Sequence, residues 1–234
     1  HTASVASVIG GGRWARPGEL CMAHRGVLFL DEMAEFARPA LESLRQPLES
    51  GECVISRANA HVRYPSRVQL IGAMNPCRCG HLADAAKACS RAPKCGEDYI
   101  GRLSGPLLDR IDLQVETPRI SASQLARLPH GEPSAAVAER VAAARDRQAT
   151  RWADREDGFL NAHADGRMLE DAAGMDQDTR DLLGKAADKL DLSARGLTRV
   201  IRLARTIADL GGEARVARPH IAEAVGYRGA LSKW

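Results

Sequence analysis

Two carboxylates close an apolar run in the segment Gly26-Val-Leu-Phe-Leu-Asp-Glu32. A continuous apolar run of this length, bounded by Gly, suits a strand buried on both faces. Its end is the carboxyl edge of a sheet, where open α/β folds bind ligands. There Asp31 can hold Mg²⁺ through water, and Glu32 can polarise a water that attacks a phosphoryl group. The same short pattern also describes a strand that ends in a solvated acidic turn. A second apolar run, Val68–Met74, ends in Asn75, whose amide can hold the same water or a phosphate oxygen without adding charge. Asn75-Pro76 is equally the sequence of a plain turn. Arg110 follows a short helical stretch and precedes a third apolar run, Ile111–Glu116. Its planar, permanently charged guanidinium suits developing phosphoryl charge; the alternative is an ion pair with Asp109 or Asp112. Arg195 stands in the first turn of an amphipathic helix, with Arg199 one turn on, and either a ligand contact or a solvated face fits that position.

Six cysteines form a second group. Cys77-x-Cys79 and Cys89-x5-Cys95 lie in one loop with His81 nearby, and four thiolates from two short segments can close a tetrahedral Zn²⁺ site. Free thiols in a loop are the alternative. Cys21 and Cys53 stand apart and read as small apolar residues.

The elements that must position these groups change character along the chain. Residues 1–120 read as short strands and helices, and residues 134–234 as helices alone, with the Pro- and Gly-containing stretch 121–133 as a linker. Pro39–Glu49 reads as one helix with Leu41, Leu44 and Leu48 on a face and Gly51 as its C-terminal stop. Val54–Ser56 and His61–Tyr64 read as a hairpin, Leu103–Arg110 as a helix, and Ile111–Glu116 as a third strand ended by Pro118. The second part predicts helices near 134–154, 178–190, 195–210 and 219–228. Leu197, Val200, Ile201, Ala204, Ile207 and Ala208 form one stripe of the third, with Arg199, Arg202 and Arg205 on another. Ser193 reads as its N-cap, and Asp178 with Asp181 as a capping box for the helix before it.

Composition bounds the rest. The chain has 234 residues, 44% hydrophobic and 27% charged, with a net charge of +3. That excludes a disordered chain, a collagen and a disulfide miniprotein, and it shows no bulk footprint of nucleic-acid binding. No stretch approaches the roughly 20 apolar residues that span a membrane, and no signal peptide is read at the start. A reducing, cytoplasmic setting is expected for the thiols. The phosphate loop G-x-x-x-x-G-K-[ST] is missing. The single Gly-Lys pair, Gly184–Lys185, is followed by Ala186 and has Thr179 in place of the first Gly.

Taken in order, the segments Pro17-Gly-Glu-Leu20, Ala23-His-Arg-Gly-Val-Leu-Phe-Leu-Asp-Glu32, Leu44-Arg-Gln-Pro-Leu-Glu49, Ile55-Ser-Arg-Ala58, Ala73-Met-Asn-Pro-Cys77, Leu103-Ser-Gly-Pro-Leu-Leu-Asp-Arg-Ile-Asp112, Ser193-Ala-Arg195 and Ala204-Arg-Thr-Ile-Ala-Asp-Leu210 resemble the Mg-chelatase-like AAA+ ATPases, and within them the competence-protein branch. The resemblance runs from His1 to about Arg228. It implies a partial AAA+ (P-loop NTPase) core, α/β with a parallel sheet, followed by an all-α helical lid. It makes Asp31 and Glu32 the Walker B pair, Asn75 sensor 1, Arg110 an arginine finger serving a neighbouring subunit, and Arg195, or else Arg199, sensor 2. It implies ATP and Mg²⁺ as cofactors and a homo-oligomeric, hexameric ring. The hairpin resembles a pre-sensor hairpin, which in DNA motors of this clade faces the pore; Arg57, His61 and Arg63 would then contact DNA phosphates, the alternative being an ordinary exposed basic hairpin.

The family pattern also calls for a phosphate loop upstream. The chain is therefore expected to be the C-terminal part of a longer protein and to lack ATPase activity alone. Three functions follow as expectations: an ATP-driven motor on branched or single-stranded DNA, the motor subunit of a magnesium chelatase, or a nucleotide-free assembly module.

Overall fold

The computed structural model of the protein describes residues 3–57, 60–82, 87–118, 120–129, 131–155 and 158–228. The described chain divides into two compact units, one ending at Ile111 and the other beginning at Asp112.

The first unit is built around a parallel pair of strands, Val27–Leu30 and Gln69–Gly72, in the register Leu28↔Leu70 and Leu30↔Gly72. Strand side chains alternate between faces, and here the two faces differ. Leu30 is buried, with Leu28 and Leu70 packed beside it, against Val8, Leu20, Met33, Phe36, Leu41, Leu44, Cys53, Leu103 and Leu107. Val27, Phe29 and Ile71 lie on the other face, each more than 40% exposed. The expectation of a strand buried on both faces is thus corrected: among the described residues, core packs on one face only.

Pro39–Glu49 is two helices, Arg38–Ser43 and Arg45–Ser50. Pro47 has no N–H to give the Ser43 carbonyl, so the chain breaks at Leu44 and restarts with Pro47 in the first turn. Ala40, Leu41 and Leu44 still share one buried face, and Gly51 closes the second helix in the left-handed region, its N–H on Pro47 O at 2.8 Å. The hairpin forms and is longer than expected, pairing Glu52–Arg57 with Ala60–Pro65; Cys53 and Ile55 point inward and Val54 outward.

Leu103–Arg110 narrows to the helix Gly105–Leu108, whose N-cap Ser104 accepts the Leu107 N–H. The expected third strand, Ile111–Glu116, does not form. A strand exists through its ladder, and no ladder partner is assigned to this segment among the described residues; the Gln114 N–H goes to Tyr227 O at 2.8 Å.

The second unit is helical: Ser134–Arg151, Gly166–Ala173, Gln177–Lys189, Ala194–Leu210 and Arg218–Gly226 are its longer helices. Gly166–Ala173 was not expected, although Leu169 and Ala173 repeat at i, i+4 and both are buried. The linker carries a single helical turn, Ala122–Leu125. Helix Ala194–Leu210 buries Val200, Ile201, Ala204 and Ala208 as its stripe predicts, and Ser193 caps it, accepting the Gly196 N–H at 3.1 Å. The cap of the preceding helix is Asp176, which accepts the Thr179 N–H at 2.8 Å, rather than the expected Asp178.

Candidate functional site

The acid pair sits where the apolar run places it. Asp31 and Glu32 follow the last strand residue, Leu30, and both are exposed. Asp31 Oδ1 accepts the Glu32 N–H at 2.9 Å. Glu32 has φ 50° and ψ 44°, the left-handed region. Sparsely populated conformations of non-glycine residues cost about 1–3 kcal/mol and gather at working sites. The neighbouring strand is tied to this turn on both sides: the Ala73 N–H reaches Leu30 O and the Met33 N–H reaches Ala73 O, each at 2.9 Å. Asn75, two residues on, is exposed beside the same edge. The parallel register therefore brings Asp31, Glu32 and Asn75 to one sheet edge. An open pair of carboxylates beside a neutral amide fits a metal–phosphate group.

Arg110 is also in the first unit, with its side chain 8% exposed. Its guanidinium donates to Glu49 Oε2 and, at 2.6 Å, to Pro106 O. Its acid partner Glu49 is not one that sequence proximity offers. In the second unit Arg195 is exposed at the start of helix Ala194–Leu210. Arg199 is 14% exposed and its Nη1 lies 2.5 Å from Asp112 Oδ1.

On the hairpin, His61 and Arg63 are exposed. Ser56 Oγ and His61 Nδ1 are 2.8 Å apart, and Arg63 approaches Glu52 only to 3.9 Å. Exposed ion pairs of this kind contribute little, so Arg63 can exchange its partner readily. The Arg57 side chain lies outside the described residues.

The cysteines converge. The sulfurs of Cys77, Cys79 and Cys95 lie within 4.8 Å of one another, with Cys77 and Cys79 Sγ 3.2 Å apart. Cys89 joins them. The Cys79 thiol is pulled down to about 6, first by the His81 backbone N–H, then by the Cys77 thiol and the Cys89 N–H. Burial, then the Cys89 thiol, pushes Cys95 up to about 12. Cys21 and Cys53 are buried in the core, and burial, then the Cys21 thiol, raises Cys53 to about 12.

Three acids escaped the sequence reading. Glu49 holds Arg110. Glu35, in the turn after the acid pair, accepts Arg102 Nη1 at 3.0 Å and stands 3.8 Å from Arg78; burial and then this carboxylate raise the Tyr99 phenol above its ordinary value. Asp209 is fully buried beside fully buried Arg205, which leaves the arginine stripe for the core. Arg205 donates to Asp209 at 3.0 Å and to the carbonyls of Glu213 at 2.6 Å, Ala214 at 2.9 Å and Ala172 at 3.3 Å. Asp209 also accepts from Arg151 at 2.5 and 2.8 Å and from Asn161 at 2.8 Å. The signal available in sequence was the i, i+4 spacing of an Arg–Asp pair inside an apolar helix.

Comparison with known proteins agrees with this layout. The family model described as "Magnesium chelatase, subunit ChlI" matches residues 1–125, and that for the ChlI C-terminal region matches residues 131–228. Competence protein ComM of Haemophilus influenzae is 44% identical over 229 residues, which is 97% of this chain and 44% of ComM. The uncharacterized protein YifB of Escherichia coli is 41% identical over the same share of each chain. The magnesium-chelatase 38 kDa subunit of Acidiphilium rubrum is 40% identical over 60 residues, 26% of this chain and 17% of that subunit. The chain spans less than half the length of the ComM and YifB relatives. The two family matches, the parallel strand pair with its terminal acids and the helical second unit together make the chain a member of the magnesium chelatase ChlI family of AAA+ proteins.

Proposed function

We propose that the chain forms the acid-pair, sensor and arginine-finger portion of a Mg-ATP-hydrolysing motor that acts on DNA as part of a longer protein. The observation that carries this reading is the shared sheet edge: Asp31 and Glu32 on one strand end, held by two backbone hydrogen bonds against the strand that delivers Asn75. In this reading Asp31 holds the Mg²⁺ that accompanies the nucleotide, through its water shell. Glu32 orients the attacking water, Asn75 supports that water or the γ-phosphate, and Arg110 meets the developing charge on a neighbouring subunit's nucleotide. Arg195, exposed at a helix start, is the sensor of the second unit; Arg199 is the alternative and must first leave Asp112. A site completed across an interface requires a homo-oligomer, and a hexameric ring is the form proposed. An ATP-driven DNA motor works in the cytoplasm, and no helix among the described residues is long and apolar enough to cross a membrane.

DNA as the substrate rests on the exposed basic residues of the hairpin, His61 and Arg63, and on the match to ComM, which covers 97% of this chain and 44% of ComM. The chelatase reading draws on much shorter matches. The test is ATP turnover by the full-length protein with and without branched or single-stranded DNA. Turnover stimulated by DNA and abolished by Glu32→Gln, with nucleotide binding retained, is the expected result. Turnover indifferent to DNA and dependent on a porphyrin-binding partner would move the assignment to the chelatase. Undiminished turnover in Glu32→Gln would remove the catalytic role of the acid pair.

A further inference from the structure

We infer that Cys77, Cys79, Cys89 and Cys95 bind one zinc ion, which clamps the segment after Asn75 to helix Lys94–Ile100. Four zinc–sulfur bonds of about 2.3 Å in a tetrahedron set the sulfurs about 3.7 Å apart. The sulfurs of Cys77, Cys79 and Cys95 already lie within 4.8 Å, so three ligands need only side-chain adjustment, and Cys89 closes the site from its own loop segment. An all-thiolate donor set selects soft or borderline metals, and four protein ligands leave no open position, the mark of a structural zinc. A multi-iron cluster needs the thiolates held farther apart than this.

The backbone around the cluster is shaped for the ion. Gly80 takes φ +75° with no atom near its absent Cβ, and its N–H bonds Cys77 O at 3.0 Å. This turn folds the chain back beside Cys79, whose Sγ is 3.2 Å from Cys77 Sγ. Cys77 is fully buried, and Cys95 and Tyr99 nearly so, which shields the site from competing water. Gly96 sits where a Cβ would lie 2.5 Å from Leu82 Cδ2 and 3.4 Å from Pro76 O; any larger residue would displace the Leu82 side chain that packs between the helix and the segment leaving Asn75.

The clamp reaches the sheet edge by a second route. Arg78, between the first two ligands, pairs with Glu35, which Arg102 also holds, and Glu35 lies three residues beyond Glu32. The metal site itself is independent of the motor reading; only its effect on Asn75 rests on that reading.

The test is metal analysis of the full-length protein purified without chelator or affinity metal. About one zinc per chain is expected, falling to less than about a tenth in Cys77→Ser and in Cys95→Ser and unchanged in Cys21→Ser. Because the serine variants can fail to fold, the wild-type protein is also stripped and refilled with Co²⁺; the intense absorption of tetrahedral cobalt thiolate is expected. Folded wild-type protein with less than about a fifth of a zinc per chain and no cobalt spectrum overturns the inference, as does a mass deficit showing these cysteines joined in disulfides. Full zinc occupancy with ATP turnover unaffected by its removal keeps the metal site and discards the clamp on Asn75; zinc without any turnover fails the motor reading alone.

Discussion

Replacing Asp209 with Ala tests the second unit at its most committed point. The change leaves Arg205 as a fully buried cation whose counter-charge is gone. Removing one partner of a buried ion pair costs about 3–5 kcal/mol. The surroundings argue for the upper half of that range. Arg205 keeps the carbonyls of Ala172, Glu213 and Ala214 but nothing negative, while Asn161 loses an acceptor inside the same pocket. Arg151 is 21% exposed and can turn to solvent, so it adds little to the cost. For a unit of this size each kcal/mol lowers Tm by roughly 4 °C, which gives a drop of about 16–20 °C for that upper half. Trp152 reports the event directly: it is buried and donates its indole N–H to Asn161 at 3.1 Å. The assay is urea and thermal unfolding followed by Trp152 fluorescence in a background where Trp14 and Trp234 are Phe. Arg205→Met/Asp209→Leu is expected to recover part of the loss and not all of it, because three carbonyls then lose their donor at about 1–3 kcal/mol for each buried group left unpaired. The same pair sets an acid response. Burial alone would raise Asp209, yet the hydrogen bonds from Arg151 and Asn161 and the charge of Arg205 hold it below the ordinary carboxylate value. With its folded pKa depressed, Asp209 stabilises the unit fully above the unfolded value of about 3.9 and loses that contribution as pH falls through the folded value. Wild type should therefore lose stability below about pH 4 more steeply than the double variant. An Asp209→Ala penalty under about 1 kcal/mol would refute the reasoning, since it would mean that Arg205 finds water where the structure leaves none.

Two further expectations concern the motor reading. Arg110→Ala and Glu32→Gln subunits should each be inactive in the full-length protein, and mixing the two should restore ATP turnover if the arginine serves a neighbour's site; mixtures as dead as their parents would place Arg110 in its own subunit's site or in structure alone. Arg63→Ala should weaken single-stranded DNA binding and reduce the slope of log K against log salt by about 0.7, the share of one phosphate contact; an unchanged slope would take Arg63 off the DNA path.

How far the sequence showed all this depended on the range of each interaction. The positions of the acid pair and Asn75 were legible because the signal is local: a continuous apolar run fixes both the strand and the edge at which it ends. The helix ends at Ser193 and Gly51 were legible for the same reason, each resting on one residue's capping chemistry. Pro39–Glu49 reads as one helix because apolar spacing passes straight through Pro47, which decides where the helix can restart. The third strand could not be read from Ile111–Glu116, because a strand is a property of its neighbour as much as of its own side chains. Charge partners were the least legible. Arg110 has acids beside it at Asp109 and Asp112, yet it is held by Glu49, which folding brings from the far end of another helix.

That last contrast organises the chain's many arginines. Composition makes Arg the default cation here, with only five lysines among the 33 basic residues, so an arginine's presence says little about its task. What distinguishes one from another is the acid it meets and how much water reaches the pair. Arg205 meets Asp209 where water is absent, and both are committed to the core. Arg199 and Arg110 are nearly buried but meet half-exposed acids, Asp112 and Glu49. Those pairs can open when a stronger anion arrives, because the acid released is rehydrated at little cost. Arg195 and Arg63 stand in solvent, the first at a helix start and the second on the hairpin. A phosphoryl group carries more charge than a carboxylate and accepts the guanidinium fork at least as well. It can therefore draw Arg110 from Glu49, whereas no anion can draw Arg205 from Asp209 without unfolding the helix that holds both. In the motor reading proposed above, the arginines available to nucleotide and DNA are thus those that water can still reach or whose acid partners it can reach.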